Sequence, residues 1–245
     1  MIELNKIYNE DCLEGMKRIE SGSVDMILCD LPYGTTACKW DVVIPFEPLW
    51  EQYKRIIKPK GAIVLTASQP FTSALVMSNP KIFRYEWIWE KPQFTNFLNC
   101  NRQAGKVHES ILVFGKEPPV YYPQKSAGEP YIAVKNTPAK PCAVIRTLVE
   151  RTTTISNGER YPKSILKFNT EKGLHQTQKP VALFEYLIKT YMQEGETVLD
   201  NCIGSGTTAI ACINTNRNYI GFEKDKEYYE KANERIKEIQ PRLIA

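Results

Sequence analysis

Over residues 1–116 the apolar positions follow two alternating rhythms. Short β-branched or aromatic runs, Lys6–Glu10, Val24–Asp30, Ala62–Thr66, Arg84–Trp89 and Ser110–Phe114, predict strands. Between them, Cys12–Ile19, Pro45–Ile57 and Pro70–Met77 repeat apolar residues at helical spacing. Strands that are apolar nearly throughout, joined by helices, predict an α/β fold with a mostly parallel sheet and helices on both faces. The rhythm stops over 117–173, where Pro, Ser, Thr, Asn and Lys dominate and apolar residues survive in islands such as Tyr131–Val134 and Cys142–Leu148. An inserted region with weak structure of its own is expected there, since its Tyr, Ile, Val and Leu content argues against a disordered linker. The α/β pattern then returns as helix Val181–Met192, strand Thr197–Asp200, helix Thr207–Thr215, strand Tyr219–Glu223 and amphipathic helix Lys226–Ile239. One domain in two halves, 1–116 and 174–245, interrupted by 117–173, is the expected organisation.

Composition changes this picture in one place. The 245 residues are 42% apolar, ample for a core, and 32 basic against 28 acidic side chains leave a net charge of +4 that indicates no partner by itself. Between Pro118 and Lys172, however, nine Lys or Arg face four Glu, so the insert carries the basicity. Seven cysteines, an odd number without C-x-x-C, and two histidines argue against a zinc site or a disulfide framework. The N-terminus lacks a signal-peptide pattern and no window of eighteen apolar residues exists, so a cytoplasmic protein with free thiols and no membrane partner is expected.

Two stretches carry candidate chemistry. In VLDNCIGSGTTAIA, Gly204 and Gly206 occupy a strand-to-helix turn with Ala209 at the third small position, the G-x-G-x-x-A spacing that lets a nucleotide-like ligand approach the backbone. Glu223 ends the following strand, placed for a carboxylate to accept hydrogen bonds from ribose hydroxyls. A dinucleotide dehydrogenase would need a second mononucleotide-binding half, but only 22 residues follow Glu223. The sheet must therefore be completed by earlier strands, with Lys6–Asp11 and Val24–Asp30 beside the C-terminal unit. Asp11, Asp30, the glycine turn and Glu223 would then share the carboxyl edge where open α/β sheets bind ligands. The second stretch, CDLPYGT, ends a buried strand with Asp30 and Tyr33 around a Leu31-Pro32 turn. Without other information, a helix cap with a half-buried tyrosine is the competing reading.

In this order the motifs resemble the amino-group DNA methyltransferases, specifically the circularly permuted β group. Asp30-Leu31-Pro32-Tyr33 is similar to the catalytic D-P-P-Y motif, and Asp200 to Gly206 to the cofactor turn. His175-Gln176-Thr177-Gln178-Lys179-Pro180 is similar to a cofactor-side H-P-T-Q-K-P, and Asn9-Glu10-Asp11-Cys12 to the segment contacting the cofactor's adenine. The resemblance implies a Rossmann-like S-adenosylmethionine-dependent methyltransferase fold, circularly permuted, with 117–173 as an inserted target-recognition region. It implies catalytic roles for Asp30, Leu31, Pro32 and Tyr33. Asp11, Cys12, His175, Thr177, Gln178, Lys179, Asp200, Cys202, Gly204, Ser205, Gly206, Thr207 and Glu223 would serve S-adenosylmethionine, and no metal is required. Leu31 replaces the first proline of the motif, where only a backbone carbonyl is used, and Gln176 replaces a proline. Apart from the resemblance, His175 and Lys179 read as solvated loop residues, and Lys179 equally as a cap on a neighbouring carbonyl.

The implied activity is transfer of a methyl group to the N6 amine of an adenine flipped out of double-stranded DNA, Asp at the first motif position being more typical of adenine than of cytosine-N4 enzymes. Cytosine N4, RNA and protein-amide methylation stay as alternatives, as does a catalytically inactive DNA-binding module. The basic insert favours nucleic acid over a protein amide. Pro141-Cys142 superficially fits a carbon-5 cytosine nucleophile, but it lies far from any strand-end motif and is read as structural. A homodimer and a cognate restriction enzyme are left open, and Phe94 and Phe97 are undecided between base stacking and core anchoring.

Overall fold

The structure is a computed structural model and describes residues 2–36, 38, 41–94, 96–134, 153–171 and 178–239. His175, Thr177 and Cys142 lie outside the described residues. The chain divides into two compact units: Met1–Tyr122 with Ser164–Ala245, and Pro123–Lys163.

The larger unit runs β1 (Lys6–Tyr8), α1 (Cys12–Met16), β2 (Val24–Asp30), α2 (Phe46–Ile56), β3 (Ile57–Ala67), α3 (Phe71–Ser78), β4 (Phe83–Glu90) and β5 (His108–Phe114). The smaller unit contains β6 (Ser126–Ala127), β7 (Tyr131–Val134), β8 (Thr153–Ser156) and β9 (Glu159–Arg160). The larger unit resumes with β10 (Ile165–Lys167), α4 (Val181–Tyr191), β11 (Thr197–Asp200), α5 (Thr207–Asn214), β12 (Asn218–Phe222) and α6 (Lys226–Ile239).

Eight strands form one sheet in the order β1-β12-β11-β2-β3-β5-β4-β10. Every neighbouring pair is parallel except the two that involve β5, which runs against the rest. The two N-terminal strands flank the C-terminal pair as expected, because Lys6–Tyr8 pairs with Ile220–Phe222 and Met26–Ile27 with Val198–Leu199. This is the permuted Rossmann-like arrangement: a late glycine turn is brought beside an early acid.

Residue alternation explains why both faces are covered. Ile27, Cys29, Ile63, Leu65, Leu112 and Phe114 point to a layer holding Met16 of α1, Leu49, Trp50 and Tyr53 of α2, and Leu75 of α3. Met26, Leu28, Ala62, Val64, Ile111 and Val113 point to the opposite layer of α4, α5 and α6, through Leu183, Phe184, Leu187, Ile210 and Ile236. The helices thus segregate by origin, with the N-terminal three on one face and the C-terminal three on the other.

Two boundaries differ from expectation. The strand expected over Ala62–Thr66 begins at Ile57, directly after α2, and its pairing with β2 shifts register between Val24 and Met26. Gly61 sits where a Cβ would come within 2.7 Å of the Asp25 carbonyl, so the early part of the strand is recognised by tertiary fit rather than by β-branched residues. The compact second unit is also narrower than 117–173. Ile165–Lys167 adds to the large sheet as an edge strand on β4, where three residues with one buried side chain, Leu166, leave too short a pattern to read. The smaller unit consists of two antiparallel pairs, β6 with β9 and β7 with β8.

Candidate functional site

Parallel strands deliver their carboxyl ends to one edge of the sheet, and there β2 ends at Asp30. Asp30 Oδ1 accepts a hydrogen bond from the Tyr33 hydroxyl at 2.7 Å and another from the Thr66 hydroxyl, one strand over on β3. Asp30 Oδ2 accepts from Lys179 Nζ at 2.6 Å. Lys179 is 5% exposed in its side chain, and its Nζ also stands 3.4 Å from Glu109 Oε2, an ion-pair separation without a directional hydrogen bond. Glu109, near the start of β5, pairs through its other oxygen with Lys91. Burial alone would pull the Lys179 ammonium down, but Asp30 and Glu109 outweigh it and hold the group above the usual lysine value. Burial would likewise raise Glu109, yet Lys179 and Lys91 keep it below the usual carboxylate range. Burial and the Asp30 charge raise the Tyr33 phenol, which stays a proton donor. Its ring stacks on Phe71 with centroids 5.1 Å apart.

The loop after this motif is held by Asp41, whose carboxylate accepts from the backbone N–H groups of Gly34, Thr35 and Thr36 at 2.8, 2.9 and 2.7 Å. Gly34 has φ +67°, and a Cβ there would meet Val43 at 2.8 Å, so glycine is required for the turn to close.

The turn after β11 faces the same space. Asp200 Oδ1 accepts from the Cys202 N–H at 3.0 Å and Oδ2 from the Thr208 hydroxyl, which braces the turn from inside. Burial pushes the Asp200 carboxyl up to about 7 despite those bonds. Gly204 and Gly206 have φ of +51° and +83°. A Cβ on Gly204 would find no atom closer than the Cys202 carbonyl at 4.0 Å, whereas one on Gly206 would press on Ala232 of α6 at 3.2 Å. Gly204 therefore leaves open space and Gly206 serves packing. Glu223, just beyond β12, accepts from the Gly204 N–H at 2.9 Å and the Asp225 N–H at 2.8 Å, and burial raises its pKa. Asp11 caps α1 by accepting from the Leu13 N–H at 3.0 Å and pairs with Lys224 at 3.1 Å. Cys12 and Cys202 both contact the Asn201 amide, at 3.6 and 3.5 Å. Gln178 accepts from the Ser205 hydroxyl at 3.2 Å, and Arg235 donates to Thr207.

A single cavity of about 600 Å³ joins these groups, lined among others by Asp11, Cys12, Asp30 to Tyr33, Gln178, Lys179, Asp200, Cys202, Gly204, Ser205, Thr207 and Glu223. Gly206 is absent from the lining, in keeping with its contact on Ala232. Lys179 lines the cavity at its Asp30 end. It is neither solvated nor a carbonyl cap, and its ammonium lies on the Asp30 carboxylate. Thr66, Glu109 and Asp41 are site residues that sequence reading missed. Glu109 left one trace, an acid directly before the apolar run of β5, while Asp41 left none because its partners are backbone amides.

An α/β protein whose glycine turn and strand-end acid open onto one cavity with a tyrosine-flanked carboxylate belongs to the class that brings a nucleotide-like cofactor to a second substrate. Comparison with known proteins narrows the class. The family model described as DNA methylase (N6_N4_Mtase) matches residues 24–234, and the chain belongs to this family. Among curated relatives, it is 29% identical over 249 residues to the type II methyltransferase M.HpaI of Haemophilus parainfluenzae, covering 94% of this chain and 74% of that protein. Among solved structures, it is similar to the M1.HpyAVI–SAM complex, with TM-score 0.63, 26% identity, and 94% and 98% of the two chains covered. The cytosine-N4-specific PvuII DNA methyltransferase shares the fold at TM-score 0.67 and 13% identity, over 95% of this chain and 86% of that one.

The residues present fit S-adenosylmethionine. The cavity volume lies within the range of small-molecule sites. Open space at Gly204 gives a ligand access to the turn, and the buried Glu223 carboxylate is a ready acceptor for ribose hydroxyls. Asp200 and Glu223 pair with no cation among the described residues, which suits a positively charged sulfonium.

Proposed function

We propose that this DNA methylase transfers a methyl group from S-adenosylmethionine to the N6 amine of an adenine extruded from double-stranded DNA. The observation that carries the reading is the Asp30 carboxylate, held by Tyr33, Thr66 and Lys179 and opening onto the cavity that also holds the glycine turn and Glu223. Gly204, Glu223, Asp11 and Gln178 would hold the cofactor, which when bound supplies an electrophilic methyl group.

The chain's own residues must then make a poor nucleophile reactive. The exocyclic amine shares its lone pair with the base ring. The Asp30 carboxylate and the Leu31 carbonyl accept its two hydrogens, which favours a pyramidal nitrogen whose lone pair faces the donor. Lys179 matters here because its ammonium, 2.6 Å from Asp30 Oδ2, fixes the position of that carboxylate. Pro32 shapes the turn, and Tyr33 offers a ring face to the base. Extruding a base costs about a few kcal/mol, and stacking on an aromatic face offsets roughly 1–3 kcal/mol of it. The basic segment around Pro123–Lys163 supports a role in target recognition through phosphate neutralisation and base contacts.

The test is incubation of unmethylated genomic DNA with the protein and S-adenosylmethionine, followed by single-molecule sequencing. Modified adenine within one recurring motif is expected. Modified cytosine instead would move the assignment to N4, and the absence of both would overturn it.

A further inference from the structure

The segment joining β4 to β5 carries a feature that chemistry at Asp30 does not use. Residues 91–107 contain Lys91, Arg102 and Lys106 and no acid, with exposed amides at Gln93, Asn99, Asn101 and Gln103. β4 runs parallel to its neighbour β10 and antiparallel to β5, as does β3, so this loop leaves the sheet at the edge where β2 presents Asp30. Its feet are tied to the site. The Lys91 N–H donates to the Val107 carbonyl at 2.6 Å, and the Lys91 ammonium pairs with Glu109, which shares Lys179 with Asp30. The Lys106 ammonium donates to the Ser68 hydroxyl, just past the end of β3.

The loop is also braced from within. Asn96 accepts from the Lys106 N–H at 2.6 Å and donates to the Ala104 carbonyl at 3.1 Å. Gly105 lies against the Phe94 ring, where a Cβ would come within 2.8 Å. Phe94 in turn stacks on Phe97, with centroids 6.1 Å apart and ring planes 14° apart. The result is one 3-10 turn, Phe97–Asn99, on which Phe97 is 75% and Leu98 96% exposed. A preformed loop holding two large apolar groups in water marks an interaction surface and loses little further entropy on binding.

We propose that Phe97 and Leu98 enter the DNA duplex as the target base leaves it, stacking against the neighbours of the vacated position. The proposal rests on the DNA-methylation reading. Extrusion leaves a gap in the base stack, and apolar side chains inserted between base steps are a recognised way to hold such a distortion. A tip set in a cationic, acid-free, amide-rich loop suits a polyanion.

The test compares wild type with a Phe97→Ala/Leu98→Ala double variant on the mapped target. One duplex is fully paired, and a second places the target base opposite an abasic position, where extrusion is already easy. Cofactor binding should be unchanged. Methylation of the paired duplex should fall about tenfold or more, and methylation of the abasic-partner duplex should fall much less. A Phe97→Tyr/Leu98→Met variant should restore the paired activity. With 2-aminopurine at the target, the fluorescence rise on binding should shrink in the alanine variant alone. Equal losses on both duplexes, no loss, or a change in oligomeric state that accounts for the loss would overturn the wedge and leave the DNA reading standing. A wild type that methylates no DNA would remove both.

Discussion

The two ends of the cavity are built from opposite electrostatic materials. At the β2 end, Asp30, Lys179, Glu109 and Lys91 form a path of alternating sign, and pairing outweighs burial, so Lys179 and Glu109 are shifted toward their charged forms. At the β11–β12 end, Asp200 and Glu223 are met by backbone N–H groups and a hydroxyl, and burial raises both. One end matches its acids with buried cations. The other leaves buried acids short of positive charge, which a sulfonium ligand would bring.

This contrast can be broken most severely at Asp30. Asp30→Ala should lower kcat for methyl transfer by about 100- to 1,000-fold, with cofactor affinity by calorimetry little changed, because the variant touches only one end. Removing the buried cation comes next. Lys179→Met leaves Asp30 without its cation and Glu109 with Lys91 alone, and should cost about 3 kcal/mol in denaturant-measured stability, together with activity. If stability is unaffected, the charged path is not what holds that end together.

At the other end the effects should be smaller and of a different kind. Glu223→Gln should weaken S-adenosylmethionine binding about tenfold while kcat at saturating cofactor stays within about twofold, a KM-type change that Asp30→Ala should not mimic. Asp200 sharpens the comparison through pH. Its folded pKa of about 7 lies above the ordinary 3.8, so the native state binds the proton more tightly than the unfolded chain. Stability from this group is therefore greatest at low pH and declines as pH rises from about 4 to about 7. Asp200→Asn should flatten that slope in thermal melts recorded across the window, and an unchanged slope would assign it to other groups. Smallest of all, Cys142→Ala should leave methyl transfer intact, since amine methylation needs no thiol nucleophile.

Much of this was legible along the chain, but only where the signal is local. Val24–Asp30 reads as a strand because its residues are apolar on both faces, Gly204 and Gly206 mark a turn through their left-handed φ, and Glu223 marks the end of an apolar strand run. β1 and β2 stand beside the C-terminal strands as expected. Lys179 was visible as a motif letter, yet its partner Asp30 stands 149 positions away, and nothing in either local pattern reports the other.

By itself, then, the sequence determined the elements, their alternation, the glycine turn and the candidate acid, since each depends on side-chain periodicity or on the φ freedom of a few residues. Tertiary structure alone decided that Lys179 pairs with Asp30, that Glu109 shares its ammonium and Thr66 donates to Asp30, and that the Phe97–Leu98 tip stands at the same edge. Those outcomes depend on strand order and on the reversed direction of β5, which bring together charges and faces from distant parts of the chain. Burial then sets how strongly they interact.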